Sequence, residues 1–110
     1  MKKGRDSEEF LIRLFGSGSR ARILSFLYGH AGRSFYQREI MYETGLSLRP
    51  VQRELGNLVA LGIVKRQEAR NRVYYEVNCG SLLFNPLREI LFDQKKENGN
   101  HDRKLINRRK

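Results

Sequence analysis

The chain has 110 residues, 22 Lys and Arg against 12 Asp and Glu, and a formal net charge of +10. That length holds one domain. Its single cysteine excludes an intrachain disulfide and a Cys-rich zinc site, and no apolar run nears the ~20 residues of a membrane span. So strong a positive balance favours an anionic partner, nucleic acid before anionic lipid. Arg13 interrupts the apolar run Phe10–Phe15, so no signal peptide is expected, and the lack of Cys pairs suits a reducing cytoplasm.

Taken in chain order, Ser7 and the acids Glu8 and Glu9 precede Phe10, Leu11, Leu14 and Phe15, which predicts a short helix from about Glu8 to Phe15. Gly16-Ser17-Gly18-Ser19 breaks it, and Ser17 or Ser19 can cap the next helix. Ile23, Leu24, Leu27 and Tyr28 give that helix one apolar face, ending around Gly29 to Gly32. Ser34-Phe35-Tyr36 reads as a short extended piece. A third helix runs over Gln37–Thr44, with Ile40 and Met41 inward. Gly45 then supplies the positive φ that ends it, Leu46 a buried plug and Ser47 an N-cap.

The fourth helix spans about Leu48 to Leu61, with Pro50 in its first turn, where the missing N–H costs no helical bond. Val51, Leu55, Leu58 and Val59 form its apolar stripe, while Arg49, Gln52, Arg53 and Gly56 lie off it. Ile63–Glu68 and Arg72–Asn78 are strand candidates joined by Ala69-Arg70-Asn71, where Asn71 best tolerates positive φ. Alternation puts Tyr75 with Val73 and Val77 in the core and Tyr74 on the other face. Leu82, Leu83, Phe84, Leu87, Ile90 and Leu91 mark a last helix. Residues 95–110 hold seven basic and two acidic residues and no apolar period. They are expected to stay disordered, as a solvated tail or as a basic arm that adds phosphate contacts.

The predicted fold is mainly α with a small β-hairpin: a winged helix-turn-helix over residues 1–94, followed by the basic tail at 95–110. Its second helix would present Arg49, Gln52 and Arg53 to a major groove, where Arg pairs with guanine and Gln with adenine. Arg38 and Ser47 flank it, and Lys65, Arg66, Arg70, Asn71 and Arg72 of the hairpin suit phosphates or a narrow minor groove. Phe10, Leu11, Leu14, Leu87, Ile90 and Leu91 exceed what two short terminal helices need for so small a core, so a homodimer interface is expected there. No Cys, His, Asp and Glu cluster has metal-ligand spacing and no catalytic set is evident, so neither a cofactor nor an enzyme is expected.

Several stretches carry a resemblance: Leu14-Phe15-Gly16-Ser17-Gly18-Ser19-Arg20-Ala21-Arg22-Ile23-Leu24, Gly45-Leu46-Ser47, Val51-Gln52-Arg53-Glu54-Leu55, Leu61-Gly62-Ile63-Val64 and Val73-Tyr74-Tyr75. In this order and spacing, over roughly residues 10 to 92, the chain resembles the ArsR-like winged-helix transcriptional regulators. It looks especially like the subgroup found alone or ahead of a nucleotidyltransferase domain, and the stand-alone form is the one expected. The resemblance implies a homodimer joined through its first and last helices, bound to a palindromic operator and often acting as a repressor. The third helix lacks the Cys-rich motif of the metal-sensing members, so metal sensing is not carried over. The hairpin tip also departs, with Arg70-Asn71 where many members have Gly. Two rival readings stay open: a non-specific nucleoid or RNA-binding protein driven by hairpin and tail, and a winged-helix protein-interaction module.

Overall fold

A computed structural model of the chain describes the backbone of residues 2–100 and the side chains of residues 8–92. The elements run α1 (Lys2–Phe15), α2 (Gly18–Gly29), α3 (Gln37–Thr44), α4 (Leu48–Ala60), β1 (Val64–Ala69), β2 (Arg72–Val77) and α5 (Phe84–Asn100). Helix α2 is central and packs against each of the other four helices and against β2. It buries Ala21, Ile23, Leu24, Leu27 and Tyr28, a wider arc than a single stripe. Ser17 caps it, its hydroxyl accepting from the Arg20 N–H at 3.0 Å. Around α2 the core is completed by Ile40 of α3, by Val51, Leu55 and Leu58 of α4, and by Val64 and Val77 of the hairpin.

β1 and β2 pair antiparallel from Val64 opposite Val77 to Ala69 opposite Arg72. The turn between them has only two residues, Arg70 at φ 54° and Asn71 at φ 65°. A two-residue hairpin turn with both φ positive matches the right-handed strand twist, but L-residues adopt it at a cost. The extended piece around Phe35 joins β2 as an isolated bridge, with Phe35 and Tyr75 exchanging two backbone bonds of 2.8 Å. Gly62, at φ 77°, hands the chain from α4 to β1. Its N–H reaches the Val59 carbonyl and the Ile63 N–H the Leu58 carbonyl, both at 2.9 Å. This is a Schellman ending, in which the reversal needs a residue without a Cβ penalty.

Three expectations need correction. Helix α1 begins at Lys2 rather than near Glu8. Residues 2–7 contain no proline, so a helix nucleated by 8–15 extends through them at one bond per residue, against a cost of ~1 kcal/mol at Gly4. Glu9 consequently sits within the helix and pairs with Arg13 one turn on, at 3.1 Å, instead of facing the positive end. Helix α5 likewise passes the boundary drawn at residue 94 and runs to Asn100. Gln94, Lys95, Lys96 and Glu97 are good helix formers, a property that net charge does not report. The rest of the basic tail, 101–110, lies outside the described residues.

The third correction concerns the terminal helices. Leu11 is 5% exposed and Leu91 1%, both inside the core of the chain, so neither belongs to a surface available to a partner. Leu87 and Ile90 are half-buried against the same core. Phe10 and Leu14, one turn apart on α1, are 44% and 51% exposed. Leu82 and Leu83 precede α5 and are exposed as well.

One buried polar atom stands out. The Tyr28 ring stacks on Phe84, with centroids 5.5 Å apart and planes at 24°. Its hydroxyl is buried without a hydrogen-bond partner among the described residues. Burial, with a smaller contribution from Cys79, pushes the phenol up to about 12. In the unfolded chain the phenol ionises from about pH 10. The stability linked to this group is therefore complete below pH 10 and lost as the pH rises from 10 to 12. Tyr28→Phe is expected to raise neutral-pH stability by about 1 kcal/mol, since it removes an unsatisfied buried hydroxyl. It should also reduce the alkaline loss by up to ~2–3 kcal/mol. Denaturant unfolding of both proteins between pH 8 and 12 checks this, and parallel curves would assign the ionisation to another group.

Candidate nucleic-acid interface

Helices α3 and α4 are joined by Gly45-Leu46-Ser47. Gly45 lies at φ 73°, ψ 17°, and its N–H closes α3 on the Met41 carbonyl at 2.9 Å. A side chain here would meet no neighbour but would strain the left-handed backbone by ~1–2 kcal/mol. Leu46 is half-buried against the core and fixes the turn from within. Ser47 takes the N-cap position of α4, yet its side chain makes no capping bond. The exposed hydroxyl thus stays available to an outside acceptor.

The apolar stripe of α4 faces α2, and this decides what the helix shows to solvent. Arg49, Gln52 and Arg53 are all exposed. The side chains of Arg49 and Gln52 make no hydrogen bond or ion pair with another described residue. Arg53 differs, since its Nε stands 3.5 Å from Glu54 Oε2, which restrains one edge of the guanidinium. Glu54 was not singled out from the sequence, although it lies three residues beyond Val51 and so on the inward side of the helix. It is 2% exposed, and its Oε1 accepts from Arg20 Nε of α2 at 2.7 Å. A carboxylate buried this deeply is tolerated only with a charged, hydrogen-bonded partner. Arg20 supplies that partner, which fixes the roll of α4 and hence the direction of Arg49, Gln52 and Arg53. Arg22 adds a longer bond to the Thr44 carbonyl at 3.4 Å, from α2 to the end of α3.

The hairpin does not present its basic residues as one group. The strand register puts Lys65, Gln67, Arg72, Tyr74 and Glu76 on one face and Arg66, Glu68, Val73 and Tyr75 on the other. Arg66 is therefore on the α4 side, lining a 300 Å³ cleft with Gln37, Gln52 and Gly56. It pairs with Glu68 at 3.0 Å, and that bond, aided by Tyr75, holds its pKa above the usual arginine value. Lys65 lies on the opposite face, across from Glu76. Glu76 also accepts from Ser34 at 2.9 Å and Gln67 at 3.2 Å. Arg70 and Asn71 occupy the exposed tip. Of the ten residues expected to contact nucleic acid, all are exposed. Arg49, Gln52 and Arg53 come together on α4, while Arg38 and Arg72 line a common cleft between the start of α3 and the tip end of the hairpin.

That cleft brings in residues the sequence reading did not select. Tyr36, Gln37 and Val73 complete its lining. Tyr36 and Tyr74 stack with centroids 4.8 Å apart, and Arg72 donates to the Tyr36 hydroxyl at 2.7 Å. Tyr74 is thus committed to a protein partner on the face where alternation put it. The signal for Tyr36 was present in part. Glu39 follows three residues later, and its carboxylate accepts the Tyr36 N–H at 2.8 Å, as expected at a helix start. Among the described residues, no group of three or more His, Cys, Asp or Glu could hold a metal ion, and no helix is long and apolar enough to cross a membrane. Comparison of the chain with known protein families, curated proteins and solved structures finds no match.

The buried pair yields a stability prediction. Glu54→Ala is expected to cost ~2–4 kcal/mol, because it leaves the Arg20 guanidinium partly buried and unpaired. Replacing both partners by Met should cost less than the sum of the two single changes, since apolar side chains fill the same space without a desolvated charge. Denaturant unfolding of the four proteins measures the coupling. Strict additivity would mean that the two side chains do not act as a pair.

Proposed function

We propose that this chain is a winged helix-turn-helix regulator of transcription, akin to the ArsR-like proteins, that binds double-stranded DNA as a homodimer and represses from a palindromic operator. The observation that carries the reading is the outward face of α4. It displays Arg49, Gln52 and Arg53 beside an exposed basic hairpin, with no acidic residue among the three. Their donors match base edges in a major groove, and α4 follows a tight three-residue connection, as a recognition helix does. Arg70 and Arg72 then meet flanking phosphates or the minor groove, and Ser47 and Arg38 meet phosphates near the start of each helix. Such a protein works in the cytoplasm, at the nucleoid. A sequence-independent nucleic-acid binder driven by charge is the rival reading, favoured by the net +5 of residues 95–110.

Selection of bound sequences from a random duplex pool, at stated salt, separates the two. A palindrome with half-sites one helical turn apart, ~34–36 Å, supports the regulator. Absence of any enriched motif supports the rival. Arg49→Ala is expected to weaken operator binding by ~1–3 kcal/mol and to relax one base position. Equal loss on operator and scrambled duplex would make it a phosphate contact. Arg70→Ala should flatten the log–log salt dependence by ~0.9 per lost contact per subunit.

The dimer reading now rests on Phe10 and Leu14 rather than on Leu11 and Leu91. Phe10→Glu with Leu14→Glu is expected to give a folded monomer with weak operator affinity, because both side chains are exposed in the subunit. Leu91→Glu should instead unfold the chain, since it puts a carboxylate into the core. Sedimentation together with circular dichroism distinguishes these outcomes. An unmodified protein that stays monomeric at high micromolar concentration would remove the dimer from the proposal.

A further inference from the structure

Tyr36 joins two elements that a guanidinium must bridge. Its backbone N–H is held by Glu39 within α3, at 2.8 Å. Its hydroxyl accepts from Arg72 Nη1 of β2 at 2.7 Å, and the Arg72 guanidinium carbon stands 5.4 Å from the Tyr36 ring centroid. On its ring stacks Tyr74, with the two hydroxyls 3.3 Å apart. The bonds from Tyr74 and Arg72 hold the Tyr36 pKa below the ordinary tyrosine value, and the bond to Tyr36 raises that of Tyr74. Arg72 therefore has a fixed post, although it is an exposed and long side chain that would otherwise sample many rotamers.

The cleft beside this post encloses about 440 Å³ and is lined by Tyr36, Gln37, Arg38, Arg72 and Val73. Its lining holds two cations and no carboxylate. One N–H of Arg72 is used by Tyr36, which leaves four donors in a planar fork. Arg38 contributes a second fork and Gln37 a neutral donor. Forks of this kind match the oxygens of a phosphate, and a guanidinium ordered beforehand loses less freedom on binding.

We propose that Tyr36 is a positioning residue that holds Arg72 in the cleft it shares with Arg38, so that the two guanidinium groups form a seat for one phosphate of a DNA backbone. The assignment of that phosphate to DNA rests on the function proposed above; the seat itself does not. Tyr36→Phe is the informative variant, because it keeps the ring and removes only the hydroxyl, with its bonds to Arg72 and to Tyr74.

Two measurements on the full chain test the idea. In the first, inorganic phosphate is titrated while the guanidinium resonances are followed by NMR. Arg38 and Arg72 are expected to shift together with one dissociation constant, and Tyr36→Phe to weaken it by about 3–10-fold, the loss of the hydrogen bond that orders Arg72. Shifts at only one arginine, or an unchanged constant in Tyr36→Phe, would overturn the seat. In the second, duplex binding is measured for Tyr36→Phe, Arg72→Ala and the double variant. Tyr36→Phe should weaken binding about 3–10-fold alone and not at all when Arg72 is already Ala. Equal losses in both backgrounds would show that Tyr36 does not act through Arg72. Phosphate binding at the seat without any duplex binding would overturn the DNA source and leave the seat standing.

Discussion

The orientation of α4 depends on one carboxylate that has left water. Glu54 lies on the inward side of the helix, and Arg20 Nε meets it at 2.7 Å. An unpaired charge at that depth would be intolerable, so α4 cannot roll about its axis without losing its partner on α2. Hydrophobic side chains such as Val51, Leu55 and Leu58 set which side is buried, but they tolerate small rotations, because apolar contact has no direction. The ion pair does have direction. It converts a permissive apolar seam into a defined presentation of Arg49, Gln52 and Arg53. Arg53 takes part on both sides of this arrangement, since it approaches the second carboxylate oxygen while remaining largely exposed.

A comparable constraint holds the hairpin. A two-stranded ribbon alone is marginal in water, and this one ends in two residues at positive φ with no glycine. Its stability comes from its base. Phe35 pairs with Tyr75 through two backbone bonds, Val64 and Val77 enter the core, and Asn78 Nδ2 donates to the Gly62 carbonyl at 2.9 Å. These contacts tie the ribbon to the start of α3 and the end of α4. Strain at Arg70 and Asn71 is thus confined to the exposed tip, one residue before Arg72 takes up its bond to Tyr36. Asn accepts the left-handed region readily, whereas Arg has no local hydrogen bond to offset it. An arginine at such a position costs stability, and the proposed contact with nucleic acid gives a reason for that cost.

Burial is periodic along helices and strands, so most elements are legible from the spacing of apolar residues. The stripe of Val51, Leu55 and Leu58, the turn at Gly45 and the alternation of Val73, Tyr75 and Val77 are each local patterns with a single geometric solution. Helix ends at the termini were less legible. Lys2–Ser7 and Gln94–Asn100 carry no apolar pattern, so only propensity and continuation from a formed helix extend α1 and α5. The candidate site was legible in its exposed cations but not in its supports. Which leucines of α1 and α5 point inward depends on how the two helices lie on α2, a tertiary fact. Tyr36 and Tyr74 are 38 residues apart, and Arg20 and Glu54 are 34 apart. Pairings at such separations leave no local signature beyond an inward-facing charge.

Charge alone does not account for how the cations are arranged. Lys65 and Arg66 are adjacent in sequence yet lie on opposite faces of β1, each beside an acid: Lys65 opposite Glu76 and Arg66 on Glu68. Their fields are partly cancelled at short range. Arg38, Arg49, Arg70 and Arg72 have no ion pair with any described residue, and Arg72 is held by a neutral phenol instead. A phenol orients a guanidinium without neutralising it, whereas a carboxylate does both. Among the described arginines without an ion pair, Arg70 lies at the hairpin tip, Arg38 and Arg72 line the cleft beside it and Arg49 is on the outward face of α4, while Arg22, Arg33 and Arg88 lie elsewhere. A charged tail could attract a polyanion from any direction, whereas under the proposed function the cations of the hairpin and of α4 would favour one approach.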